Sequence, residues 1–156
     1  MKATLLLIGK TKEKHFIAAI NDYISRIEHY LPFSLVTIPE LKNSKNLSED
    51  LQKEREGALI LREVQPSDTL ILLDEHGKEL RSVEFANWLQ KKENVAKRVV
   101  FAIGGAYGFS PDVYKRANEQ LSLSKMTFSH QMVRLIFTEQ LYRACTIIKG
   151  EPYHHE

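Results

Sequence analysis

VVFAIGG (Val99 to Gly105) passes directly into AYGFSPDVY (Ala106 to Tyr114), and this joint decides how the chain is read. Five apolar residues in a row, closed by a glycine pair, mark a strand covered on both faces, because a strand with one wet face alternates instead. Pro111 stands near the start of the helix that follows, a position proline tolerates. A second joint of the same kind lies downstream. LSLS (Leu121 to Ser124) reads as a short strand, and Lys125 to Phe128 lead from it to Ser129, which can cap a helix from His130 to Ile148. Open α/β sheets hold their ligands where strand ends feed loops and helix N-termini, because backbone N–H and C=O groups become free there together. A ligand site is expected at these two loops.

Working outward, the same alternation fills the chain. TLLLIG (Thr4 to Gly9) predicts the first strand, and His15 to Tyr30 repeats apolar residues at helical spacing. SLVTIP (Ser34 to Pro39) predicts a strand, Leu47 to Val64 a helix ending before Pro66, and TLILLD (Thr69 to Asp74) a strand stopped by EHGKEL. Ser82 is positioned to cap a helix carrying Val83, Phe85, Ala86, Trp88 and Leu89. Strand and helix alternate without a long linker or a repeat, so the expected fold is α/β, a mostly parallel sheet with helices on both faces, in one domain over 1–156. Lys42 to Asn46 (KNSKN) reads as a solvated connector.

Composition sets outer limits. A chain of 156 residues, 43% hydrophobic and 27% charged, can build a proper core and does not have the make-up of a disordered one. A net charge of +2 is too small to indicate nucleic-acid binding by itself. The lone Cys145, among Ala144, Ile147 and Ile148, reads as a buried thiol. No segment approaches the roughly 20 apolar residues that span a bilayer, and MKATLLLIGK lacks the pattern of a signal peptide. A soluble cytoplasmic protein is the expectation.

A dinucleotide site is not supported: Gly9 is followed by KTKEKH, Gly104 to Gly108 gives G-G-x-x-G, and no P-loop pattern occurs. The loops after three strands say more together. Leu73 to Gly77, Gly104 to Phe109 and Leu123 to Phe128 would meet at one edge of a parallel sheet and form one pocket. Its walls of backbone and apolar side chains suit an uncharged heterocycle better than a naked phosphate.

LLDEHGKEL (Leu72 to Leu80), IGGAYGFSPDV (Ile103 to Val113), LSLSKMTFSHQMVR (Leu121 to Arg134), EQLYRA (Glu139 to Ala144) and the terminal PYHHE (Pro152 to Glu156) together resemble the RlmH family of the SPOUT class of RNA methyltransferases, over essentially the whole chain. The resemblance implies a C-terminal trefoil knot, which sequence rules would not supply because threaded connections are rare. It implies S-adenosyl-L-methionine as cofactor, bound in the knot loops of a homodimer with no metal. As substrate it implies 23S rRNA in the assembled ribosome, methylated at N3 of a pseudouridine in helix 69. By motif, the cofactor positions fall on Leu73, Gly105 and the run Leu123, Ser124, Lys125, Met126, Thr127 and Phe128. A side chain added at Gly105 is expected to intrude on the cofactor's space.

Methyl transfer from a sulfonium is an in-line displacement, so the protein must position the partners and deal with the N3 imide proton. A base or a cationic donor is needed. Tyr153, His154 and His155 in the tail offer both types, and His is the side chain that titrates nearest neutral pH. Glu139 and Arg143 form an i,i+4 pair on the last helix, where Gln131, Arg134 and Thr138 share a polar face. His130 lies at the helix start. The catalytic candidates are therefore His154, His155, Tyr153, Arg143, Glu139 and His130, with the base unassigned among them. RNA would be met by Lys10, Lys12, Lys14, Lys78, Arg81 and the tail. Two alternatives stay open on sequence: a non-catalytic ribosome- or RNA-binding module, and a SPOUT enzyme acting on another RNA.

Overall fold

Leu5, Phe101 and Ile71 lie side by side on three adjacent parallel strands, and this row is the centre of the fold. The computed structural model describes all residues 1–156. The elements run β1 (Lys2–Ile8), α1 (Lys14–Ile27), β2 (Phe33–Ile38), a single 3₁₀ turn at Ser44–Asn46, α2 (Glu49–Arg62), β3 (Thr69–Glu79), α3 (Ser82–Glu93), β4 (Arg98–Ile103), α4 (Pro111–Arg116), β5 (Glu119–Ser122) and α5 (His130–Ile148). All five strands are parallel, in the order β2-β1-β4-β3-β5.

The continuous apolar runs of β1, β3 and β4 follow from burial on both faces. Leu5, Leu7, Ile71, Val99 and Phe101 point to the face covered by α1, α3 and α5, while Leu6, Leu70, Leu72, Val100 and Ala102 point to the face covered by α2 and α4. Cys145 is buried on the α5 side, and burial pushes its thiol up to about 12.

Three local differences from the sequence expectation have physical causes. EHGKEL does not stop the third strand: β3 shifts register after Leu73 and pairs again, Lys78 with Leu121 and Glu79 with Ser122. Gly77 permits this, since a Cβ there would lie 2.7 Å from the backbone of Gln120 and Leu121. The fifth strand starts earlier than Leu121, because Asn118 mimics a strand residue, donating to Leu70 O and accepting from Leu70 N, both at 2.8 Å. It ends at Ser122, where serine hydroxyls take over: Ser122 Oγ donates to Ser124 O, and Ser124 Oγ accepts from Met126 N. Ser82 is the first residue of α3 rather than its cap. Glu84 accepts from Arg81 N at 2.8 Å, and the Ser82 hydroxyl donates to Gln140 on α5. The cap expected at Ser129 is present, accepting from Met132 N.

Candidate functional site

The bulge of β3 after Leu73 and the loops after β4 and β5 meet at the carboxyl edge of the sheet and enclose a pocket of about 420 Å³. Leu73, Gly105, Leu123, Ser124, Met126, Thr127 and Phe128 border it, as the motif positions require. Lys125 does not. Its side chain is exposed and reaches Glu79 at 3.8 Å, because the turn fixed by Ser124 points residue 125 away from the pocket. Met126 is 77% exposed at the mouth, with Tyr107 beside it.

The polar end of the pocket is Asp74, whose role the sequence reading missed although its loop was included. Its carboxylate accepts from His76 N at 3.0 Å and from the Tyr114 hydroxyl on α4. Burial by itself raises the Asp74 carboxyl, but these hydrogen bonds outweigh it and hold the group below its ordinary value. Burial and the bond to Asp74 push the Tyr114 hydroxyl up in turn. Tyr114 also packs edge-on against Phe109, 5.8 Å between ring centres, so it ties α4 to the pocket floor. A depressed carboxyl adds stability above its unfolded pKa and loses it as pH falls through the folded value. Tyr114→Phe removes one donor. Its thermal unfolding midpoint is expected to lie below wild type at pH 7, with the gap closing as pH falls past about 4.

A second cavity of about 210 Å³, mostly apolar, adjoins the pocket through Leu73 and Leu123 and reaches Ser82 and Gln140. A third, of about 540 Å³ and lined mainly by polar and charged residues, shares Gly105, Ala106 and His130 with the pocket and extends toward β1 and α2. Gly105 needs its missing side chain for a reason other than the one expected. A Cβ there would point away from the three-loop pocket at Glu56 on α2, 2.6 Å from Oε1. The expectation that a side chain would fill the cofactor's space is corrected: it would strike the carboxylate beneath the loop.

Four of the catalytic candidates, Glu139, Arg143, Tyr153 and His154, form a network farther along α5. Arg143 donates to Glu139 Oε1 at 2.6 Å, Tyr153 donates to the same oxygen at 3.0 Å, and the Arg143 guanidinium lies 4.8 Å above the Tyr153 ring. Burial and the bond to Glu139 raise the Tyr153 hydroxyl. Arg143 Nη1 donates to His154 Nδ1 at 3.1 Å, which leaves Nε2 as the nitrogen facing Glu156 at 3.4 Å, and Glu156 is held by Arg81. The tail therefore docks, as expected, but both ring nitrogens of His154 are engaged. His155 is exposed and makes no hydrogen bond, and His130 is exposed at the pocket. At 1.5 Å per residue, Glu139 and Arg143 stand roughly 14 to 20 Å along α5 from His130. Within one chain, the network and the pocket are separate.

The polar face expected on α5 is mostly interior. Arg134 and Thr138 are buried, Arg134 donating to Ile8 O and Thr11 Oγ1, while Gln131 accepts from Lys12 N at 2.8 Å. Of the RNA candidates, Lys10 and Lys12 border the polar cavity, Lys78 borders the apolar one, and Arg81 is taken up by Glu156.

A parallel sheet with a nucleoside-sized pocket at its carboxyl edge has the form in which α/β proteins hold nucleoside-type ligands between loops. Residues 1–154 match the family described as "Predicted SPOUT methyltransferase". The chain is 63% identical to the ribosomal RNA large subunit methyltransferase H of Phocaeicola vulgatus and 57% identical to that of Flavobacterium psychrophilum, covering 100% of both chains in each comparison. A solved structure, the SpoU methyltransferase AviRb from Streptomyces viridochromogenes in complex with AdoMet, is 14% identical with a TM-score of 0.46, over 96% of this chain and 58% of that one. The chain belongs to the SPOUT methyltransferase family, in its ribosomal RNA large subunit methyltransferase H branch. No helix is long and apolar enough to cross a membrane.

Proposed function

We propose that the protein transfers a methyl group from S-adenosyl-L-methionine to N3 of a pseudouridine in helix 69 of 23S rRNA, acting in the cytoplasm on the assembled ribosome as a homodimer. The observation that carries this reading is the three-loop pocket, bordered by Leu73, Gly105 and Leu123 to Phe128 except Lys125. Its residues suit the cofactor. About 420 Å³ is enough for a nucleoside with an amino-acid arm, the apolar walls suit adenine, and Asp74 and Glu75 place negative charge where a sulfonium is favoured. When bound, the cofactor supplies an activated methyl group.

The chain's own residues have two tasks. Backbone groups of the loops hold the adenine end, while Leu73, Leu123 and Phe128 exclude water from the reacting centre. N3 must lose its proton, and the imidate oxygens that form must be stabilised. In the proposed dimer the tail network of one copy closes the pocket of the other, since it lies 14 to 20 Å away in its own chain by helix rise. Arg143, oriented by Glu139 and Tyr153, is then the cationic donor to the developing imidate. His154 is clamped between Arg143 and Glu156 and acts as a positioning residue, whereas His155 and His130 are the free imidazoles able to take the proton. The family's trefoil knot and the single-domain organisation over 1–156 are parts of the same proposal. Ribosomes from cells lacking the protein are expected to accept about one labelled methyl group per particle on its addition, and a 23S rRNA that stays unlabelled overturns the reading.

A further inference from the structure

Two buried charges at the carboxyl edge of the sheet have no ion-pair partner, and both border the polar cavity. Glu56 on α2 is 5% exposed; Oε1 has no hydrogen bond, and Oε2 accepts only from Gln52 at 3.4 Å. Arg134 on α5 is 3% exposed; it donates to one backbone carbonyl and one hydroxyl, its Nε has no acceptor, and no carboxylate lies within 4.0 Å. Glu40 on the same cavity wall, 4.0 Å from Lys12, offsets part of the Arg134 charge at longer range, and burial together with Glu40 raises the Glu56 carboxyl, so both groups are buried with few direct partners at a cost to the fold.

The position of the cavity adds an independent argument. It opens between the loops that follow β1 and β4, which are neighbours in the sheet. Their helices leave to opposite faces, α1 with α5 and α4 with α2. Adjacent strands whose connections diverge in this way create the crevice in which α/β sheets take ligands. The cavity also touches the cofactor pocket across Gly105, Ala106 and His130, whereas the other neighbouring cavity is small and apolar.

We infer that this polar cavity is the acceptor subsite, which takes the unstacked target nucleotide of the RNA with its backbone phosphate on the Arg134, Lys10 and Lys12 side and its base against Gln52 and Glu56. The inference rests on the functional reading above and deepens it. A nucleotide carries both complements at once, an anion for the cationic wall and ring N–H donors for an unpaired carboxylate. The amino-acid end of the cofactor also carries both charges, but the pocket of about 420 Å³ already has room for the whole donor. Lys10 and Lys12 are exposed at the cavity rim, where a polyanion would pass.

The test is Glu56→Gln, isosteric and uncharged, assayed on ribosomes lacking the modification. KM for the ribosome is expected to rise roughly tenfold, the loss of one hydrogen bond to a charged group. Affinity for S-adenosyl-L-methionine stays within about twofold and the unfolding midpoint stays level or rises, because an uncompensated buried charge is gone. Replacing Lys10 and Lys12 with Ala lowers the slope of log affinity against log salt by about one to two. An unchanged KM overturns the inference. So does a loss of cofactor affinity, which would give the cavity to the cofactor's amino-acid end, and so does a fall in midpoint at constant KM, which would make Glu56 structural. Wild-type protein that transfers no methyl group overturns the functional reading itself, whereas wild-type transfer with an unaffected Glu56→Gln overturns the subsite alone.

Discussion

Gly105→Val is expected to weaken binding of S-adenosyl-L-methionine by roughly five- to a hundredfold, the scale of a 1–3 kcal/mol overpacking cost concentrated in one loop. Its Cβ would lie 2.6 Å from Glu56 Oε1 and 2.8 Å from Oε2. Glu56 is buried on a packed helix face with Gly57 and Ile60, so its carboxylate and the loop must shift against each other, and the loop forms one wall of the cofactor pocket. Calorimetry measures the affinity, and a native unfolding transition separates a displaced loop from an unfolded chain. The obstacle is a side chain, not backbone, so Gly105→Ala combined with Glu56→Ala should regain much of the affinity that Gly105→Ala loses. If Gly105→Val binds the cofactor as wild type does, the loop does not form the site.

Removing Tyr153 to Glu156 is expected to abolish methyl transfer while cofactor affinity stays within about twofold. The tail makes no wall of the pocket, but it holds Arg143 and Glu139 in one arrangement through Tyr153 and His154. Preorganised donors of this kind are typically worth two to three orders of magnitude in rate. Mixing this truncated protein with Gly105→Val tests whether the site spans two subunits. At a cofactor concentration well below the Kd of Gly105→Val, each is nearly inactive alone. In a mixed dimer the intact pocket of one faces the intact tail of the other, so exchange of subunits should restore roughly a quarter of wild-type activity. No recovery would place pocket and tail in the same chain's site, against the separation along α5.

The sheet was legible because β1, β3 and β4 are apolar without interruption, a pattern that burial on both faces imposes and little else does. The three-loop pocket followed from it, since parallel strands put their loop ends on one edge. Less was legible where a single contact overrides local pattern. Gly77 lets β3 continue through a charged stretch that reads as a stop, and Asn118 starts β5 early by bonding as a strand residue would. Asp74 and Tyr114 meet across 40 residues of sequence, and nothing in either segment announces the pairing. Glu56 left a faint signal: a carboxylate at i−4 from buried Ile60 and next to a glycine stands on the inner side of its helix. Arg134 and Thr138 misled for the converse reason, since polar residues at helical spacing read as a wet face when their partners, Ile8 O and Thr11, lie more than 120 residues away.

The most direct test of the central claim is mass-spectrometric mapping of 23S rRNA from ribosomes lacking the modification, incubated with the protein and S-adenosyl-L-methionine. One new methyl group on N3 of a pseudouridine in the helix 69 fragment, absent with Gly105→Val, is the predicted result. A 23S rRNA without any added methyl group, or one methylated at a different base, would contradict it.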